Sequence, residues 1–576
     1  TVYEYEIPTD DTINVATTIK ILADISNNLT LEGEAFERER KIVEEEWRSD
    51  LGASKRYLDE LLPYLYNDSR LLERKPIGDI EVIRNFEYDD ARSYYKKWYQ
   101  PNLMGLFVIG DVDVNNIKKI ITESFSSFEN NDVTIPNYKI PDFKENQFFK
   151  YQDEETERIT FSLWEKTDFK KLNNFDNYKD DRIYNLISDI YQRRIDELLE
   201  KNELAFLNSG LGNSQVSDLD EYKIVSVTLN EAKINEGIID FLTFIKQIEK
   251  FGFLNSELDL AKKNYLQYLK QNIIDEETRS SESFVNEYQR HFINDEMISS
   301  SKDQLKFTKE MLPLITIQDL NNYFKKYIQA KNQIISIKAP AYIKNLPNEV
   351  EIKNLFNEVN NKAIKPYEFQ LKEVKLIKEE LIGSKIIKRV KYPKTNVIKL
   401  TLKNGPEVYL KKTDFKKDEI QIRGFSSGGL SKADDKQYLS AKYLDKIISR
   451  ANVGELTVSE KENLYPTTFV DLFPFVDGQE EGVNGYSNNE HLEDMFKLLY
   501  VNFTDLRITQ THVDIFKEKR INQYNIDKEN PDHAYNLEFV KKFFNDHPRT
   551  KSGTEELYNQ INLKDLQDFY IDRFKD

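Results

Sequence analysis

"YDDARSYYKKWYQPNLMGLFVIGDVD", residues 88 to 113, reads as a helix ending near Trp98, a turn at Pro101 and a buried strand from Leu103 to Ile109. The plan returns in "TIQDLNNYFKKYIQAKNQIISIKAP" (316–340), where Tyr323, Phe324 and Tyr327 stand in the places of Tyr94, Tyr95 and Trp98. "NLKDLQDFYIDRFKD" (562–576) begins it a third time. Upstream of each lies a long helix, a polar break and a second helix ending in aromatic residues: 34–66, 256–292 and 511–544. Matched spacings at three places identify three copies of one α+β domain, each a mostly antiparallel sheet packed with helices. The recurring aromatic positions are expected to be core in every copy.

Boundaries follow from the repeats. Residues 1–132 hold the first copy, opening on "TVYEYEIP", which reads as an alternating strand. Residues 133–343 hold the second, and 393–576 an incomplete third. Between them, 344–392 is polar and charged and is expected to link two halves with few core contacts. "KNG" at 403–405, between alternating runs, predicts a hairpin. "SSGGLS" (426–431) is expected to be the loop ending a core strand.

The chain has 576 residues, too many for one core. Its net charge of -18 argues against nucleic acid, which demands a basic surface. No apolar run reaches the length of a membrane span. The absence of cysteine excludes disulfides and thiolate metal sites.

"FERERKIVEEEW" (36–47) carries the sharpest chemical signal. Wound at about 100° per residue, Ala35, Phe36, Ile42, Val43 and Trp47 share one arc, while Glu37, Arg38, Arg40, Lys41, Glu44, Glu45 and Arg48 take the opposite side. Glu39 and Glu46 fall inside the apolar arc, two turns apart. In register, Glu39 matches Ala261 and Phe516, and Glu46 matches Tyr268 and Gln523, so the fold does not require acids there. A buried carboxylate is costly unless a cation or good hydrogen bonds satisfy it. Arginine or lysine partners would satisfy them. So would a metal ion, with one carboxylate as ligand and the other supporting it.

"ERERKIVEEEWR" (37–48), "RKPIGDIEVIRNF" (74–86) and "YYKKWYQPNLMGLFVIGDVD" (94–113) resemble the pitrilysin/insulinase family of zinc peptidases, in its branch of large single-chain bacterial proteases. "TVYEYEIPTDD" (1–11) and "VYLKKTDFKKDEIQIRGFSSGG" (408–429) are similar to it as well. The resemblance implies two halves of paired α+β domains closing as a clamshell around a peptide or unfolded-protein substrate, with Zn²⁺ as cofactor. It implies that Glu46 is the third zinc ligand and Glu39 its supporting acid. The family's H-x-x-E-H helix has no counterpart, since the histidines are only His291, His491, His512, His533 and His547. The resemblance therefore implies a fragment of a zinc metalloendopeptidase, inactive alone and holding Zn²⁺ poorly, without the H-x-x-E-H segment and a fourth domain, from a periplasmic or secreted parent. The alternative is a non-catalytic binding or regulatory subunit of a two-chain peptidase. A third is a scaffold with both acids in salt bridges.

Two further motifs have bland readings. "SGLGNS" (209–214) reads as a turn and not a nucleotide loop, since no phosphate-binding lysine follows. "NEHLED" (489–494) sets His491 beside acids without a tetrahedral set.

Overall fold

Strands of Val, Ile and aromatic residues in the middle of the chain build its main sheet. The computed structural model describes residues 1–574 apart from Asp11, Ala330, Glu373, Glu529, Asn530 and Ser552. Five strands, β1 (Gln147–Asp153), β2 (Ile159–Asp168), β3 (Phe206–Gln215), β4 (Asp220–Leu229) and β5 (Gln333–Pro340), lie in the order β1-β5-β2-β4-β3. β1 runs parallel to β5 and the other neighbours are antiparallel. The last strand in sequence is thus inserted between the first two.

Helix Phe175–Glu200 covers one face. Asn174 caps its start by accepting the Asn177 N–H, and Asn202 beyond its end takes a left-handed conformation. Ile183, Ile187, Ile190 and Tyr191 point into a core shared with Phe161, Phe241, Leu320 and Phe324. Phe161 and Phe241 meet edge to face at 5.9 Å and are fully buried, each contributing about 2–3 kcal/mol of apolar burial.

The opposite face is covered from outside the unit. Helix Ala53–Tyr66 lays Leu61 and Leu65 against Phe149, Tyr151, Tyr222 and Ile334, and the Tyr222 hydroxyl donates to the Leu65 carbonyl at 2.6 Å. In return, Tyr288 and Phe292 of helix Ser281–Asn294 pack on Phe107, at 6.4 and 6.2 Å between ring centres.

Smaller antiparallel sheets follow. β6 (Ile386–Tyr392), β7 (Val397–Leu402) and β8 (Glu407–Lys411) form a meander, with the expected hairpin turning through Gly405 at φ +113°. β9 (Ile420–Ser427), β11 (Val470–Val476) and β12 (Glu480–Ser487) make a second sheet in the order β11-β12-β9. β10 (Asn452–Val453) pairs with β13 (Leu506–Arg507). The "SSGGLS" loop leaves β9 as expected. The molecule is a mixed α/β protein with several mostly antiparallel sheets and many helices.

One capped helix occurs three times. Glu87 with Asp90, and Thr316 with Asp319, form capping boxes at the starts of Tyr88–Trp98 and Ile317–Tyr327. Asn562 accepts the Asp565 N–H at 2.9 Å at the start of Leu563–Phe574. Leu320 and Phe324 are buried, as are Leu566 and Tyr570 at the matching positions.

Four expectations are corrected. Neither 1–8 nor 103–109 forms a strand, because a strand needs a ladder partner and none of the described residues in 1–132 supplies one. For the same reason Tyr94 is 63 % exposed, whereas Tyr327 reaches a sheet and donates to the Gly212 carbonyl at 2.6 Å. "SGLGNS" is not a turn: Gly210 and Gly212 pair with Ser226 and Ile224 within β3. The segment 344–392 is not free of core contacts, since Leu346, Ile352 and Val359 join the main core, and helix Glu349–Asn361 owes its seat to them. Tyr367 is also buried. The exposed stretch starts only at Lys378.

Among the shifted groups of the main sheet, Glu165 is the one moved to near neutral pH. Glu165 is 8 % exposed, and burial pushes its carboxyl up to about 7 against the attraction of Lys223, its cross-strand neighbour on β4. A raised carboxyl in the folded state holds its proton where the unfolded chain has released it. Its contribution is therefore full below about pH 4.5 and lost as pH rises through about 7. The loss amounts to about 3 kcal/mol. Denaturation in urea at pH 5 and pH 8.5 is expected to show this difference shrinking in Glu165→Gln; an unchanged difference would refute the assignment.

Candidate metal-ligand helix

The acid pair sits on helix Gly33–Ser49, and its surroundings explain how the helix is held. Phe36 stacks on Tyr88 at 5.4 Å and meets Phe86 edge-on at 5.9 Å. Arg40 lies over the Phe86 ring at 4.3 Å and donates to the Ile83 and Phe86 carbonyls at 2.6 and 3.2 Å. These carbonyls end the short helix Ile80–Asn85, whose own ladder leaves them open. Arg40 was expected on the solvent side. Instead its side chain is only 12 % exposed, because guanidinium donors match those carbonyls and its ring contact removes it from water. No sequence period marks this, since the partner carbonyls are 43 and 46 residues away.

The packed stripe is therefore narrow: Phe36, Arg40, Val43 and Trp47. The rest of the predicted apolar arc is uncovered. Glu39 and Glu46 are exposed, and Ile42 between them is 58 % exposed. The matching positions of the first acid are buried in the sister helices, Ala261 at 2 % and Phe516 at 7 %. The face bearing Glu39 is thus the one that Asn255–Asp275 and Gln510–Asp527 pack inward at that level.

Three nearby arginines are engaged elsewhere. Arg40 pairs with Glu37, Arg48 with Glu45, and Arg84 with Glu44 and Glu81. No hydrogen bond or ion pair from the described residues reaches the carboxylates of Glu39 or Glu46.

The helix sets the two expected acids two turns apart on its exposed side. Among the described residues, no group of three or more His, Asp or Glu side chains is placed to hold a metal ion. Two exposed carboxylates on one helix fall short of a tetrahedral site. The histidines have structural neighbours. His491 is buried against Phe469 at 5.5 Å with Nδ1 2.8 Å from Asn488 Oδ1. His512 Nδ1 accepts the Thr509 N–H at 3.1 Å, and His547 Nδ1 accepts that of Arg549 at 3.2 Å. His291 Nδ1 lies 2.6 Å from the Glu296 carbonyl, and His533 packs edge-on to Tyr524.

Comparison with known proteins agrees with the fold. Residues 85–265 match the family described as "Peptidase M16 inactive domain". An Arabidopsis thaliana protein named "Zinc protease PQQL-like" is 24% identical over 447 residues, covering 76% of this chain and 44% of its own length. The crystal structure of the periplasmic protease PqqL from Escherichia coli aligns with a TM-score of 0.61 at 20% identity, over 99% of this chain and 63% of that one. A mutant of the ferredoxin protease FusC, in complex with Arabidopsis ferredoxin, aligns at 0.67 and 17% identity, over 98% and 63%. Pitrilysin shares the fold as well, with a TM-score of 0.54 at 12% identity over 98% of this chain and 60% of that one. This chain spans about half the length of the curated relatives it matches. Among the described residues no helix is long and apolar enough to cross a membrane.

Proposed function

We propose that this chain is part of a zinc metalloendopeptidase that cleaves peptides or unfolded proteins in an enclosed chamber between two halves. The observation supporting this is the pair of unpartnered carboxylates, Glu39 and Glu46, beside exposed Ile42 on a helix face whose sister helices are packed at the matching level of Glu39. Glu46 serves as zinc ligand and Glu39 orients it. Residues 1–132, 133–343 and 393–576 are three copies of one domain, with the link between halves confined to the exposed residues beyond 377. The names of the relatives, zinc proteases and a periplasmic protease, favour a periplasmic peptidase. When bound, zinc would polarise the scissile carbonyl and acidify its water. The donors described here do not complete a site, so no hydrolytic step is assigned to this chain alone. Zinc content of the complete gene product, wild type against Glu46→Gln, tests the reading. Full retention of zinc in the variant would exclude Glu46 as a ligand.

A further inference from the structure

A cavity of about 230 Å³ lies where the helices of the main sheet meet the C-terminal part of the chain. One wall is helix Phe175–Glu200 with its neighbour Asn255–Asp275. The other is helix Val458–Leu464 and the turn 466–469 that follows it. Both walls belong to this chain and are bonded to each other across the joint. Glu200 accepts the Val458 N–H at 2.7 Å, the Ser459 N–H at 3.3 Å and the Ser459 hydroxyl at 2.7 Å, capping the opposite helix from outside. Arg193 Nη1 donates to Asn463 Oδ1 at 3.0 Å. The space beside these contacts is therefore held at a set width. Its volume lies below the about 300–1,000 Å³ of pockets for drug-sized ligands and far above the about 10–15 Å³ that one water needs. A small molecule fits that size.

The charges of the lining decide which kind. They are three acids and one base. The base is spent, since Arg193 bonds both oxygens of Asp189 at 3.1, 2.9 and 2.8 Å. Among the described residues, Asp196 accepts only from the Gln192 amide, at 2.9 Å, and no hydrogen bond or ion pair reaches the Glu462 carboxylate. Lys461, next to Glu462 in the chain, is bonded to Asp471 at 3.1 Å. Lys519 and Arg450 attract Asp196 without forming an ion pair with it among the described residues. Burial holds both carboxyls above their ordinary values, Asp196 despite the Gln192 bond and Glu462 despite Lys461. Asp196, Asp471 and Glu200 push Glu462 further up. Two acids short of positive charge thus line a space that holds no spare cation of its own.

The rest of the lining completes the description of a ligand. Tyr268, Pro466 and Phe469 supply an apolar side, and the half-exposed Tyr268 ring offers its face to an ammonium. Gln192 and Asn264 offer carbonyl oxygens to ammonium hydrogens. An anion would meet the unpaired carboxylates and a spent arginine. A metal ion would need a third acid or an imidazole, and no such group of three is present among the described residues.

We propose that this cavity binds a small linear diamine, with one ammonium at Asp196, the other at Glu462 and the methylene chain along Tyr268, Pro466 and Phe469. The ligand touches both walls, so its binding strengthens the joint between helices Phe175–Glu200 and Val458–Leu464 by mass action. The inference is independent of the zinc reading.

Calorimetric titration of this chain and of the complete gene product with cadaverine and with n-pentylamine tests it. Cadaverine is expected to bind at least about 10-fold more tightly, the scale of one further hydrogen bond to a charged group. Asp196→Asn and Glu462→Gln are each expected to erase that preference without lowering the urea midpoint, since each removes a buried acid that lacks a cation. In the wild type, cadaverine should also slow amide exchange in Val458–Leu464. Equal affinity for the two amines overturns the proposal, because the site then reads a single ammonium, such as a lysine side chain carries. No binding of cadaverine overturns it as well, as does a preference that survives both substitutions or an unchanged exchange rate in Val458–Leu464. It also fails if this chain binds cadaverine and the complete gene product does not, for another part of the polypeptide then fills the cavity.

Discussion

In the complete gene product, Glu46→Gln is expected to abolish zinc retention through dialysis and to remove peptidase activity. The amide keeps the size of the side chain and loses the negative charge and the second acceptor oxygen that bind a divalent cation. Among the described residues no cation is paired with this carboxylate, and Arg40, Arg48 and Arg84 are engaged with Glu37, Glu45, Glu44 and Glu81. Glu39→Gln is expected to weaken zinc binding by about 10- to 100-fold, the range for a residue that orients a ligand. Inductively coupled plasma spectrometry after dialysis against a graded chelator separates the two. The order of the effects is the critical result. A larger loss from Glu39→Gln would exchange the roles, and no loss from either would make this an ordinary exposed acidic edge.

The second large effect is on stability. Arg194, 1 % exposed, donates from Nε and Nη2 to the two oxygens of Glu257 at 2.6 Å each, and from Nη2 to the Gly252 carbonyl at 3.2 Å. Its guanidinium lies 4.3 Å from the Tyr367 ring centre and 5.1 Å from that of Phe253. Arg194→Met would strand a buried carboxylate whose remaining donor is the Leu254 N–H at 2.7 Å. The expected cost is about 3–5 kcal/mol, the cost of breaking a buried pair from one side. Arg194→Met with Glu257→Gln should recover much of it, since no charge is then left buried. Hydrogen exchange in β2 and β4 across a urea series reports on this unit. A single variant within about 1 kcal/mol of wild type would show that water reaches Glu257 and that the pair is not sealed.

What could be read from the sequence depended on the range of the interaction. The helix–break–helix segments, the "KNG" hairpin and the helices ending at Trp98 and Tyr327 are local patterns, and they stand in the structure where expected. Strands at 1–8 and 103–109 are not local objects: alternation supplies a face, but only a neighbour supplies a ladder. Gly210 and Gly212 misled in the opposite sense, as a pair of glycines within an edge strand looks the same in sequence as a turn. Glu39 stood out in the sequence against Ala261 and Phe516 at the matched positions, but that both acids lie exposed could not be read there, because the apolar arc does not say which of its positions a neighbour covers. Arg40 was not legible either, since its partners are backbone carbonyls of a distant helix that carry no residue-type signal.

The insertion of β5 between β1 and β2 sets a timetable for synthesis. Among the described residues β1 has no ladder partner other than β5, and β5 leaves the ribosome 180 residues after β1 ends at Asp153. At roughly 5–20 residues per second, Phe149 and Tyr151 wait about 10–35 s for a neighbour. Helix Ala53–Tyr66, which rests on those rings, waits with them. The nascent chain therefore carries an unpaired aromatic strand through 180 residues of its elongation, an opening for a ribosome-associated chaperone. Ribosome-stalled chains ending near residue 330 should be cut by chymotrypsin at Phe149 and Tyr151, and chains stalled well past 380 should resist. Equal protection in both would mean that β1 finds another shelter first.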